Sequence, residues 1–144
     1  MRPGAFAYNT IRLWGETIRR ESVVRSPYGD ARIAPMHEAD IAAVAVTALL
    51  DDGHAGAKYV LTGPESLSQR EQVEIIGKAT GRTIRFEELT EEQAERDGVP
   101  TMPLDYLRSA VGAPAEILPT IAEVTGRPAR TFAEWAEDHA GDFR

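Results

Sequence analysis

At 144 residues, 42% of them apolar, the chain is the size of one domain and is too rich in core-forming residues to be a disordered segment. A net charge of −7 argues against a nucleic-acid backbone as partner, and the absence of cysteine excludes disulfides, thiolate metal sites and a cysteine nucleophile. The longest apolar run, residues 41–50, is too short to span a bilayer, and the first residues lack a signal-peptide stretch, so a cytoplasmic protein without membrane contact is expected.

Residues 6–20 read as a helix, with Ile11, Trp14 and Ile18 on one apolar stripe. Ser26-Pro27-Tyr28-Gly29-Asp30 is turn chemistry. Residues 31–36 form a short extended piece that Pro35 confines to an edge or a strand end. Asp40 is placed to cap a helix over 41–50, apolar nearly all round and therefore expected to be buried on several sides. Residues 58–62 are a β-rich run that Gly63-Pro64 ends. Ser68 and Glu71 form a capping box opening a helix to Thr80, with Gly81 as its terminator. Residues 83–88 alternate like a half-buried strand. Helices are expected over 91–96, 102–111 and 115–124, and a second capping box, Thr131 to Glu134, opens the last one. That helix carries Phe132, Trp135 and His139 on one face, while His54 and His139 read as surface or packing residues. No linker divides the chain, which predicts a single α/β domain over residues 1–144 with five or six helices.

Several motifs are absent. No clustered glycines join a strand to a helix as a dinucleotide's pyrophosphate requires. No H-E-x-x-H or G-x-S-x-G occurs, and no tyrosine has lysine four residues on. A metal site is not expected.

Four stretches, in order, carry a resemblance. The loop from Arg2-Pro3-Gly4 to Asn9, the run from Tyr28 through Asp40-Ile41-Ala42, the turn Thr62-Gly63-Pro64-Glu65, and the stretch from Gly126-Arg127-Pro128 to Trp135 together resemble the NmrA-like family of atypical short-chain dehydrogenase/reductases. The resemblance implies the C-terminal, substrate-side part of a Rossmann protein and NAD(P) as the family's cofactor. The glycine-rich half is missing, so no cofactor is expected for this chain alone. It also implies that Met1 stands at the edge of a central strand that is itself gone, leaving residues 58–62 unpaired. An orphaned edge of this kind recruits partners, and a homo-oligomer or a partner chain completing the sheet is expected.

The loop holding Pro3, Gly4 and Asn9 would then face the nicotinamide end of a dinucleotide, if the missing half is supplied. Asn9 has an equal alternative as a helix cap. Tyr8, Trp14 and Arg32 are candidates for a small-molecule pocket, with Trp14 also suited to the core. His37, Asp40 and Tyr28 are the candidates for acid–base chemistry, Asp40 doubling as a simple cap. Three functions fit: a small-molecule-binding remnant of a reductase, a cofactor-independent isomerase, cyclase or dehydratase, and a non-catalytic sensor or interaction module.

Overall fold

Seven α-helices and six short strands make up the computed structural model, which describes residues 1–144. In chain order they are β1 (Arg2–Pro3), α1 (Asn9–Glu21), β2 (Val23–Ser26), β3 (Arg32–Ile33), α2 (Glu38–Leu50), β4 (Val60–Leu61) and β5 (Leu67–Ser68). There follow α3 (Gln69–Thr80), β6 (Arg85–Glu88), α4 (Glu91–Arg96), α5 (Leu104–Ser109), α6 (Thr120–Thr125) and α7 (Phe132–Asp138), with a closing 3₁₀ turn at Ala140–Phe143. None of these helices is long and apolar enough to cross a membrane.

Local chemistry sets the helix ends. Ser68, Thr90 and Thr131 each accept from the backbone N–H three residues on, and Glu71, Gln93 and Glu134 return the bond. Gly81 (φ 70°) and Gly126 (φ 73°) close α3 and α6 in the left-handed region that glycine enters without strain. At α2 the expectation is corrected. His37 occupies the cap, its ring accepting from the Ala39 N–H, and Asp40 lies inside the first turn. At α1 the capping position is Tyr8, which makes no side-chain cap bond, so Asn9 is the first helical residue rather than the cap.

The strands pair as three two-stranded sheets. β1 and β4 are parallel, Arg2 opposite Val60 and Pro3 opposite Leu61. Residues 58–62 are therefore not orphaned: Arg2 and Pro3 supply the partner, and the Gly4 N–H donates to the Leu61 carbonyl at 3.0 Å. β3 and β5 are antiparallel. β2 pairs in parallel with β6 and was not anticipated, because Val23–Ser26 follows a helix directly and is too short to show alternation.

The two larger of three buried clusters hold most of these pieces. In one, α1 contributes Trp14 and Ile18, α3 Val73 and Ile76, and α7 Phe132, Trp135 and Ala136. Phe132 and Trp135 stack at 5.3 Å and are almost fully buried, each worth about 2–3 kcal/mol relative to exposure. The other joins Met36, Val44, Leu61 and Ile121. Helix α2 departs from expectation: of its residues only Asp40 and Val44 are buried, while Val46, Leu49 and Leu50 stand 54%, 83% and 78% exposed.

Candidate functional site

The loop leaving β1 and the turn leaving β4 lie side by side with the segment that follows β3. Met36 donates to the Ala5 carbonyl and accepts from the Ala7 N–H, both at 2.9 Å, and the Gly63 N–H donates to the Ala34 carbonyl at 3.0 Å. The approach at Gly63 is so close that a Cβ there would sit 1.9 Å from the Pro35 carbonyl oxygen, so glycine is required for contact rather than for φ.

These carboxyl-terminal ends of a parallel pair open onto a cavity of about 300 Å³. It is lined by Gly4, Ala5, Ala34 and Thr62, by Arg32, by Tyr106 and Ser109 of α5 with Ala110 that follows, and by residues 113–116. The size is near the lower bound of ordinary ligand pockets, and the position matches where open α/β sheets bind ligands.

The cavity is built, not incidental. Leu107 packs α5 against Ala31 and Ile33, and the Arg32 N–H donates to the Ala110 carbonyl at 2.9 Å. The Ala115 N–H donates to Ser66 Oγ and the Leu118 N–H to Thr62 Oγ1, each at 2.9 Å, pinning that segment. The Arg32 guanidinium is oriented by Ser66 and by a 3.3 Å ion pair with Glu71.

The sequence-based candidates separate in space. Gly4 and Arg32 line this cavity; Pro3 lies in β1 beneath it. Asn9 lines a second, smaller cavity of about 230 Å³ with Arg12, Leu13 and the 101–103 loop, its carboxamide free of intrachain bonds. Tyr8 is 47% exposed and meets His139 edge-on at 6.3 Å. Trp14 is 4% exposed within the main core and lines neither cavity, since its position on the α1 stripe turns it inward.

His37, Asp40 and Tyr28 are all engaged within the chain. His37 is buried, and its Nδ1 accepts from the Ala39 N–H, so the proton resides on Nε2, which donates to Asp138 at 2.9 Å. Asp40 accepts from the Arg130 N–H at 2.7 Å and from its guanidinium at 2.5 Å. Tyr28 adopts φ 57° and donates its hydroxyl to Glu91, which also binds Arg108. The Tyr28 hydroxyl, followed by Arg108, holds Glu91 below the ordinary carboxylate value. Next to His37, His139 stacks on Trp135 at 4.7 Å and directs its two ring nitrogens at Glu38 and Asp142. Burial works to raise Glu38, but its backbone hydrogen bond, His139 and the Trp135 indole bring it net below its ordinary value.

Tyr106, Ser109 and Glu116 of the cavity were not singled out from the sequence. Tyr106 sits on a helix of undistinguished pattern, and nothing in its local sequence separates it from a surface residue. The four stretches that carry the resemblance do converge. Asp40 binds Arg130, Glu65 accepts from the Phe132 N–H at 2.9 Å, and the loop after β1 bonds to Met36 and Leu61.

No family model matches the chain. It is 42% identical to the (4-alkanoyl-5-oxo-2,5-dihydrofuran-3-yl)methyl phosphate reductase of Streptomyces griseus, over 99% of the chain and 53% of that protein. It is 38% identical to the NAD(P)H azoreductase of Xenophilus azovorans, with the same two coverages. Among solved structures, the Citrobacter triphenylmethane reductase superposes with a TM-score of 0.75 at 13% identity, covering 97% of this chain and 52% of that one. The Escherichia coli NADPH-dependent quinone oxidoreductase complexed with NADPH superposes at 0.73 and 25% identity, covering 95% and 51%. The chain spans about half the length of the curated relatives it matches.

Proposed function

We infer that this chain, a relative of the NmrA-like NAD(P)-binding reductases, forms the substrate-side part of a reductase acting on a polarised double bond. The observation that carries the reading is the cavity at the carboxyl-terminal ends of β1 and β4, lined by small side chains and a cation. The relatives' names describe a butenolide in one case and, in the other, an azo compound, both of which accept hydride at an electron-poor double bond.

A reduced nicotinamide supplies hydride in such chemistry. Within these residues, the loop at Gly4 borders the substrate cavity, whereas Asn9, with its free carboxamide, lines a separate one. A pyrophosphate needs unpaired N–H groups at a glycine-rich helix start, and these 144 residues hold no glycine cluster between a strand and a helix. The dinucleotide's phosphates are therefore assigned to polypeptide outside these 144 residues. Calorimetric titration of the chain with NADPH tests this. Weak binding, beyond millimolar, is expected, and a micromolar Kd would overturn the assignment.

The exposed face of α2, with Val46, Leu49 and Leu50, extends the same reading to a partner. Apolar residues on one helix face this exposed mark a covered surface. A second copy of the chain, or the polypeptide that holds the dinucleotide, is proposed to cover it.

A further inference from the structure

We propose that Tyr106 and Arg32 together recognise a carbonyl oxygen of the substrate, which makes Tyr106 a specificity-determining residue. The inference rests on the reading of the cavity given above and names the ligand atom that the cavity reads.

The hydroxyl inventory singles out Tyr106. Tyr28 donates to Glu91, and the Tyr59 hydroxyl is bonded to His54. Tyr8 lies at the His139 cluster, outside the cavity. The Tyr106 hydroxyl makes no bond within the chain, and its side chain lines the cavity while 43% exposed. The other hydroxyls at the site already donate: Ser109 Oγ to the Tyr106 carbonyl at 2.8 Å, and Thr62 Oγ1 to the Gly63 carbonyl at 3.0 Å. Tyr106 is thus the neutral donor left free to meet a ligand.

Arg32 lines the same cavity. Its guanidinium has five N–H donors, of which Ser66 and Glu71 engage only part. A phenol and a guanidinium lining one cavity of about 300 Å³ offer two donors to one acceptor oxygen. Gly4, Ala5 and Ala34 of the lining offer small or absent side chains, which leave room for a flat conjugated ring. The ligand class is a compact planar molecule whose ring carries a conjugated carbonyl. Glu116 is the remaining charged group of the lining, and it is bonded to neither Tyr106 nor Arg32.

The test compares two probes of one shape in equilibrium dialysis against the 144-residue chain. Menadione carries carbonyl oxygens on a bicyclic ring, and 2-methylnaphthalene is its hydrocarbon counterpart. The chain has no cysteine, so menadione forms no thiol adduct that would obscure binding. The unaltered chain is expected to prefer menadione at least tenfold. Tyr106→Phe should weaken menadione about five- to tenfold and leave 2-methylnaphthalene unchanged, and Arg32→Met should do the same with an unchanged far-ultraviolet spectrum. Because the Tyr106 hydroxyl has no intrachain partner, Tyr106→Phe keeps the packing of α5. Equal menadione affinity in Tyr106→Phe and the parent overturns the role of Tyr106 while leaving the cavity reading intact. Failure of the parent chain to bind either probe removes the cavity reading, and this inference with it.

Discussion

Replacing Asp40 separates a structural role from a catalytic one. Its carboxylate is 4% exposed at the side chain and accepts two bonds from Arg130, one from the backbone and one from the guanidinium. These bonds fasten the first turn of α2 to the segment entering α7. Hydrogen bonds to a charged group contribute about 1.5–3 kcal/mol, and breaking a fully buried ion pair costs about 3–5 kcal/mol. Arg130 is 38% exposed at its side chain, so water recovers part of its solvation when the partner is lost. Asp40→Ala should therefore destabilise by about 2–3 kcal/mol, which for a chain of this length lowers Tm by about 5–10 °C. Asp40→Asn keeps an acceptor for the Arg130 N–H and should lose about half as much. Differential scanning calorimetry reads the stability, and dialysis with menadione reads the cavity, which Asp40 does not line. A Tm within about 2 °C of the parent, or a menadione affinity that falls while Tm holds, would refute the structural assignment.

His37→Ala removes the α2 cap and the Asp138 bond and should cost about 1–2 kcal/mol, whereas His37→Asn, a good capping residue, should recover most of it in a thermal melt. Gly63→Ala places a methyl 1.9 Å from a carbonyl oxygen, so the variant should unfold more than 3 kcal/mol more easily in urea, at or beyond the usual range for overpacking. Glu91, held below 4.5 in the folded chain, adds stability above that pH and loses it as the pH falls through its folded value; Glu91→Gln should flatten the acid limb of Tm against pH, and an unchanged limb would count against the Tyr28–Glu91–Arg108 network. Light scattering of the parent at micromolar concentration should show a mass above 15.8 kDa if a second copy covers α2, and Leu49→Glu with Leu50→Glu should restore the monomer. A parent that is already monomeric leaves the dinucleotide-holding polypeptide as the partner.

Much of the architecture was readable from local chemistry alone. The capping boxes at Ser68 and Thr131, the glycine at the end of α3 and the stripe of Ile11, Trp14 and Ile18 are satisfied by residues a few positions apart. Short-range bonds need no knowledge of the rest of the fold, which is why those elements fall where their residues predict. The first three stretches of family resemblance supply Gly4, Ala5, Arg32, Ala34 and Thr62 of the cavity, while its α5 and 113–116 side lies outside all four.

Tertiary contacts decided the remainder. β2 exists because β6, 62 residues away in register, pairs with it. His37 and not Asp40 caps α2, and the Asp40 carboxylate binds Arg130, 90 residues distant, instead. Tyr106 and Arg32 come to line one cavity through the burial of Leu107 against Ala31 and Ile33 and the bond from the Arg32 N–H to the Ala110 carbonyl. Each of these outcomes turns on which distant group reaches a polar atom first. A sequence specifies the donors and acceptors, but the folded chain determines which of them remain free, and at Tyr106 that freedom is what makes the site.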